Sequence, residues 1–233
     1  MPFRGCNSQI EHADLLSKRV DALGILSGPV EAAKRMKILL VFVALLYLCS
    51  YLVGWYLISV KSPIAVATVQ GVSQTVLTQE PFTSIIQSLR GGELVNAILV
   101  TLLLNLITGA FLTTTLPGVI PVIGALGTVA VTVLRGFVIG IIYPQVLGAS
   151  PVGFALGFGT MVLELGAYVF SGAAGINISL APLLPTRYGV QSRWAAFKMA
   201  WKDAARIYVI VVILLALGAV WEMAGLFLAL RPA

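Results

Sequence analysis

Five long runs of apolar residues follow one another along the chain, separated by shorter polar or amphipathic segments. A helix needs about 20 mostly apolar residues to cross the hydrocarbon core of a bilayer. Runs of that length lie at 38–60, 94–116, 122–143, 152–176 and 207–230. The pattern therefore predicts an all-α polytopic membrane protein: five transmembrane helices in one transmembrane domain at 37–230, together with interfacial amphipathic helices.

The run from 94 to 143 permits two interpretations. It is nearly uncharged and is interrupted only by Thr113-Thr114-Thr115-Leu116-Pro117-Gly118 and by Pro121. Its length fits two full spans joined by a tight turn. A broken or re-entrant hairpin fits as well, because irregular backbone is tolerated at membrane depth where protein buries it. Both alternatives leave the next segment on the same side of the membrane.

The segments between the spans are amphipathic. Residues 1–36 form a polar tail, predicted to be cytoplasmic, and residues 61–93 form a non-cytoplasmic cap of two short helices divided at Pro81. Residues 190–206 alternate aromatic and basic positions, which predicts a cytoplasmic basic interfacial helix that precedes the last span. Its predicted membrane anchor consists of Trp194, Phe197, Lys198, Trp201 and Lys202.

The distribution of basic residues predicts the orientation. With 59% apolar and 10% charged residues, the chain is too apolar for a soluble domain, so the net charge of +6 does not indicate nucleic-acid binding. Eleven basic residues fall in the tail, at Lys37 beside it and in the 187–206 segment, and only Lys61, Arg90 and Arg231 fall on the other side. The positive-inside rule then places the amino terminus in the cytoplasm and the carboxyl terminus outside a cell membrane.

Three charged residues lie well inside the predicted spans: Arg135, Glu164 and Glu222. At about 1.5 Å per residue, Arg135 and Glu222 lie roughly 12 Å from the outer ends of their spans, and Glu164 roughly 18 Å. These similar depths allow one intramembrane charged cluster. An Arg–Glu pair that holds the bundle together is the favoured interpretation, because an arginine beside the acids would repel a cation. The alternative is an ion or proton path.

Small residues recur at helical spacing around these charges. Such a face allows close contact between helices, which favours a tightly packed core and a homo-oligomer. The predicted helix-packing face consists of Gly136, Gly140, Gly153, Gly157, Thr160, Ala167, Ser171 and Gly175.

The chain lacks the patterns of common membrane enzymes. Its only histidine, His12, lies in the tail, no predicted span contains an aspartate, and neither HExxH nor GxxxxGK[ST] occurs. Cys6 and Cys49 should lie at different depths and not pair. We therefore predict no catalytic residue, no metal, no cofactor and no enzymatic activity.

Residues 163–175 resemble the stage II sporulation protein M family. In that family a span reads roughly His-Gly-x-x-Glu-Leu-x-Ala, followed by Gly-Ala-Ala-Gly, and this chain has Glu164-Leu165-Gly166-Ala167 and then Gly172-Ala173-Ala174-Gly175. The segments at 134–140 and 220–222 are also similar to the family's glycine-bearing and final spans. Here Thr160 and Met161 replace the family's His-Gly, and Arg135 replaces a residue that is often asparagine.

The resemblance implies a polytopic membrane protein of prokaryotes. The namesake acts in a membrane complex that localises cell-wall hydrolases during engulfment, although most relatives occur in prokaryotes that form no spores. We expect a non-enzymatic membrane scaffold in the lipid bilayer. It would be a homo-oligomer, with unknown protein partners bound at the cap, the basic helix or the tail, and no nucleic acid. The alternative is an ion- or proton-coupled channel or transporter with a path at Glu164.

Overall fold

The computed structural model describes residues 27–147 and 150–230, and every regular element within them is helical. The helices are α1 (Lys37–Ser59), α2 (Pro63–Thr78), α3 (Phe82–Arg90), α4 (Leu94–Leu103), α5 (Ile123–Leu147), α6 (Pro151–Leu180) and α7 (Arg193–Leu230). Five helical segments in the described chain are long and apolar enough to cross a membrane. The predicted all-α fold with five spans is confirmed. Residues 1–26, with most of the polar tail, lie outside the described residues.

Helix α6 occupies the centre of the bundle. It packs against α1, α5, α7 and the segment that follows α4. Its second half is buried on all sides, from Ser171 to Ser179. Gly175 lies directly against backbone, because a Cβ atom there would be only 2.0 Å from the carbonyl oxygen of Thr114. Small residues therefore let the central helix approach its neighbours closely.

The stretch after α4 connects the two halves of the 94–143 run. A wide π-helical segment, Leu104–Thr115, continues α4 and leads through a 3₁₀ turn, Leu116–Val119, into α5. Both 94–119 and 123–144 are long and apolar enough to cross a membrane, so the run forms two helical segments of membrane-spanning length. The Thr113 and Thr114 hydroxyls donate to carbonyl groups four residues earlier, which compensates for the irregular backbone.

Helix α7 differs from the predicted division between an interfacial helix at 190–206 and a span from Ile207. In the structure Arg193–Leu230 is one continuous helix. No glycine or proline occurs between residues 193 and 217, so nothing in that stretch interrupts the backbone hydrogen bonds. The buried alanines Ala196, Ala200 and Ala204 pack against the end of α6. Helix α6 also continues beyond the predicted end at 176, as far as Leu180.

The cap at 61–93 contains two short helices, α2 and α3, that separate beside Pro81. Helix α3 is strongly amphipathic and packs Ile85 and Leu89 against Ala97 of α4 and Met223 of α7. The cap is thus fixed to the end of the bundle where α4 begins and α7 ends.

Candidate functional site

Glu164 lies in the interior of the bundle on the central helix, and its partner is a neutral amide. The Asn105 side chain donates a hydrogen bond from Nδ2 to Glu164 Oε1 at 2.6 Å. Asn105 belongs to the π-helical segment after α4, whose wide turn carries it toward α6. A Cβ atom at Gly218 would be 3.4 Å from the Glu164 Cγ, so this glycine leaves room for the carboxylate beside α7.

Glu222, on α7, borders a cavity. The cavity has a volume of about 270 Å³ and lies between α5, α6 and α7, with Tyr143, Gly157 and Thr160 also in its lining. Thr160 is one helical turn before Glu164. Glu222 is also within electrostatic range of Glu164. The two acids therefore share one region, and the cavity approaches it from the end of the bundle where α5 ends and α6 begins.

Arg135 lies in the same region but binds backbone and hydroxyl oxygens. Its Nη2 donates to the Gly109 carbonyl oxygen at 3.0 Å and to Thr113 Oγ1 at 3.1 Å. Its guanidinium carbon lies 3.9 Å from the centre of the Tyr168 ring. Among the described residues, no ion pair within 4.0 Å joins Arg135 to either glutamate. The expected Arg–Glu pair is absent because the π-helical segment presents closer acceptors.

These residues fall within a region that a protein-family comparison identifies. The family described as Stage II sporulation protein M matches residues 41–223. The chain belongs to this family. Comparisons with the curated proteins and with the solved structures found no match. The matched region holds Arg135, Glu164 and Glu222, and the apolar helices make this stage II sporulation protein M family member a multi-pass membrane protein.

In this family member a network of hydroxyl groups lies about two helical turns further along α6 than Glu164. Thr114 Oγ1, whose proton goes to the Ala110 carbonyl oxygen, lies 3.0 Å from Ser171 Oγ and can accept from it, and Thr115 Oγ1 donates to the Ser171 carbonyl oxygen at 3.1 Å. Tyr208 donates to Thr115 Oγ1 at 2.8 Å, and Thr128 donates to the Thr114 carbonyl oxygen at 2.8 Å. The sequence analysis missed this network, although the Thr113-Thr114-Thr115 triplet marks it.

Most of the predicted helix-packing face is used inside the chain. Gly136 and Gly140 contact α1, where a Cβ atom at Gly140 would lie 2.1 Å from the Tyr51 carbonyl oxygen. Gly175 contacts Thr114 in the same way. Buried residues within this face are Gly136, Gly140, Gly157, Thr160, Ala167, Ser171 and Gly175, whereas Gly153 is half-buried. The face therefore holds the single chain together, and contacts between copies would need other surfaces.

Asp203 is a buried acid that the sequence analysis overlooked, because residues 190–206 were assigned to an interfacial helix. The structure places it within the membrane-length helix α7, with only 3% of the residue exposed. Arg35 donates to both carboxylate oxygens, at 2.9 Å from Nε and 2.5 Å from Nη2. This hydrogen bonding raises the pKa of Arg35 above its ordinary value. The pair ties the segment before α1 to α7.

The predicted membrane anchor divides into two parts. Trp194 stacks on Phe197 with ring centres 5.3 Å apart, Lys198 lies 5.4 Å from the Trp194 ring, and Trp201 meets Phe197 edge-on. Lys202 instead lines a polar pocket with residues from other segments. The aromatic part suits the membrane interface, where amphipathic rings accumulate.

Proposed function

We propose that this family member is a non-enzymatic membrane scaffold whose five-helix body holds the cap in one position for partner proteins. The observation that carries the proposal is the attachment of the cap. Leu89, only 4% exposed, and Ile85 pack into a cluster with Ala97 and Met223, which belong to two different membrane-length helices. A cap fixed at two points presents a surface of constant shape, which reduces the entropy lost when a partner binds.

The packing of the body supports a static role. Arg135 Nη2 binds the Gly109 carbonyl oxygen and Asn105 binds Glu164, so these two polar contacts inside the bundle are fixed, whereas Arg135 Nη1 is buried without a hydrogen-bond partner among the residues that the structure describes. The second half of α6 is buried on all sides. Such a core resists the rearrangements that alternating access requires.

The outward surface of the cap is where we expect contact with a partner. Gln74 on α2 and Gln87 on α3 are both exposed, and neither belongs to the cluster that attaches the cap. The orientation predicted from the basic residues places these side chains outside the cell membrane. A second copy of the chain is one candidate partner.

Site-specific photo-crosslinking in native membranes tests the scaffold. A photoreactive residue at Gln74 or Gln87 should give the same discrete protein adduct. The adduct should weaken at least about fivefold when Leu89→Ala loosens the cap, since truncating a buried leucine costs roughly 2–5 kcal/mol. Leu45→Ala, at a position exposed toward lipid, is the matched control and should leave the adduct unchanged. Absence of any protein adduct, or an equal adduct in Leu89→Ala, contradicts the proposal.

A proton- or ion-coupled channel or transporter is the second candidate, and the cavity beside Glu222 favours it. Acids inside a membrane often mark such paths. The charge of Arg135 acts on Glu164, which disfavours residence of a cation there. In proteoliposomes, Glu222→Gln should abolish any flux if this candidate holds, whereas Glu80→Gln on the exposed cap should not. The scaffold proposal predicts no flux above that of empty vesicles.

A further inference from the structure

A polar pocket lies at the end of the bundle where α1 begins. It has a volume of about 530 Å³, and its lining includes Arg35, Arg187, Tyr188, Lys202, Asp203 and Arg206. Four basic side chains from three separate segments of the chain therefore converge on one space. By the charge distribution of the sequence, this end of the bundle is the cytoplasmic one.

The acids near the pocket neutralise only part of this positive charge. Asp203 is fully engaged by Arg35 through both carboxylate oxygens. It also forms an ion pair with Arg206, whose Nη1 atom lies 3.7 Å from Asp203 Oδ1 without a hydrogen bond between them. Glu31, an exposed residue, interacts electrostatically with Arg35. Arg187, Lys202 and Arg206 thus retain donors for an additional anion.

Other contacts hold the pocket in shape. Arg187 Nη2 donates to the Arg35 carbonyl oxygen at 2.5 Å, which joins the segment after α6 to the segment before α1. Tyr188 accepts a hydrogen bond from Asn177 Nδ2 at 2.7 Å, and burial raises the pKa of this tyrosine above its ordinary value. Arg35 and Arg187 therefore keep their positions without a ligand, which lowers the entropy lost on binding.

The face of α7 that enters the pocket continues into lipid. Lys202, Arg206, Ile213 and Leu217 share one face by helical spacing, since they are separated by four, seven and four residues. Ile213 and Leu217 are 47% and 54% exposed. Ile213 lies roughly 10 Å deeper along the axis than Arg206. A basic pocket therefore stands directly above an exposed apolar stripe, which is the arrangement of charge and hydrocarbon in a phospholipid.

We propose that this pocket binds the phosphate-bearing headgroup of an anionic membrane lipid. Arg187, Lys202 and Arg206 contact the headgroup, and an acyl chain lies along Ile213 and Leu217. Free inorganic phosphate shares the charge chemistry of the headgroup. Inorganic phosphate has no hydrocarbon chain to contact the apolar stripe, and this difference assigns the site to a lipid.

Native mass spectrometry of the full chain in detergent micelles, titrated with phosphatidylglycerol or phosphatidylcholine, measures the binding. The test variant is Lys202→Gln/Arg206→Gln, and the control is Arg193→Gln/Lys198→Gln, which removes the same charge from the same end of α7 outside the pocket. One basic residue near an anionic lipid is worth roughly fivefold in affinity, so the test variant should lose roughly twenty-five-fold. The control should change less than about twofold.

Three results overturn the assignment. An equal loss in both double variants means that the lipid responds to general charge, not to the pocket. Equal binding of phosphatidylcholine removes the requirement for an anionic headgroup. Displacement of the lipid by inorganic phosphate at equal concentration shows that the site belongs to a soluble phosphate. Far-ultraviolet circular dichroism and a thermal midpoint within about 3 °C of the parent show that each variant is folded.

Discussion

Replacing Gly175 by alanine should destabilise the protein strongly, because this glycine is the point where α6 crosses the turn after α4. A Cβ atom at Gly175 would lie 2.0 Å from the Thr114 carbonyl oxygen, and one at Gly118 would lie 2.3 Å from the Gly175 carbonyl oxygen. Ordinary contact begins at 3.4 Å. The added methyl group must therefore drive the two backbones apart by about 1.4 Å, the difference between 3.4 and 2.0 Å.

The size of the effect follows from the contacts that this separation breaks. Overpacking against backbone costs about 3 kcal/mol, the upper part of the usual range. The hydrogen bonds that join Thr114 and Thr115 to Ser171 bridge the same crossing, and each contributes about 1 kcal/mol. The higher helix propensity of alanine offsets up to about 1 kcal/mol of this cost. The net loss of stability should be about 4 to 5 kcal/mol.

Gly127 provides the matched control. It lies in α5, and a Cβ atom there would meet no atom within 4 Å. Gly127→Ala should stay within about 1 kcal/mol of the parent. Denaturant unfolding of both variants in detergent micelles, followed by tryptophan fluorescence, gives the free energies. If Gly175→Ala unfolds within 0.5 kcal/mol of the parent, a value below the expected cost of overpacking, the close crossing of α6 and the preceding turn is refuted.

Two further predictions concern the buried polar contacts. Asp203→Asn should destabilise the fold by about 2 kcal/mol, because two charge-assisted hydrogen bonds are weakened while the Arg35 side chain, 40% exposed, regains water. A double-mutant cycle with Arg35→Gln should give a coupling energy above about 1 kcal/mol, and additive effects would contradict the pair. Asn105→Leu should cost about 1 to 3 kcal/mol by leaving the Glu164 carboxylate without its donor. In a Glu164→Leu background the same change should be nearly neutral, and an unchanged cost there would refute the contact.

The number of membrane-spanning helices could be predicted from the sequence because bilayer thickness dictates the length of an apolar run. The end of α6 and the beginning of α7 could not be predicted. For α7 the reason is that aromatic and basic residues at 193–206 suit both an interfacial helix and the first turns of a longer helix. Contact with another part of the chain determines where α7 begins, because Ala196, Ala200 and Ala204 pack against the end of α6. Packing of that kind leaves no periodic signal that distinguishes the two alternatives.

The similar depths of the three intramembrane charges follow from the sequence, but their hydrogen-bond partners do not. Arg135 binds the Gly109 carbonyl because the helix after α4 widens there. No residue pattern predicts a π-helical turn, so this contact could not be predicted. Asp203 was overlooked for a related reason. Its importance comes from Arg35, which is 168 positions away in the chain.

The different surroundings of the two intramembrane glutamates bear on the choice between the proposed functions. Glu164 has a fixed neutral donor, Asn105, at 2.6 Å, so its carboxylate is held without a mobile ion. Glu222 instead borders the cavity, with Tyr143 and Thr160 in the same lining. If protons or ions bind to this protein, Glu222 is the residue that they reach first. Flux that depends on Glu164 but not on Glu222 would therefore contradict this arrangement. A scaffold instead requires that the protein show no flux and that Glu222→Gln leave it stably folded.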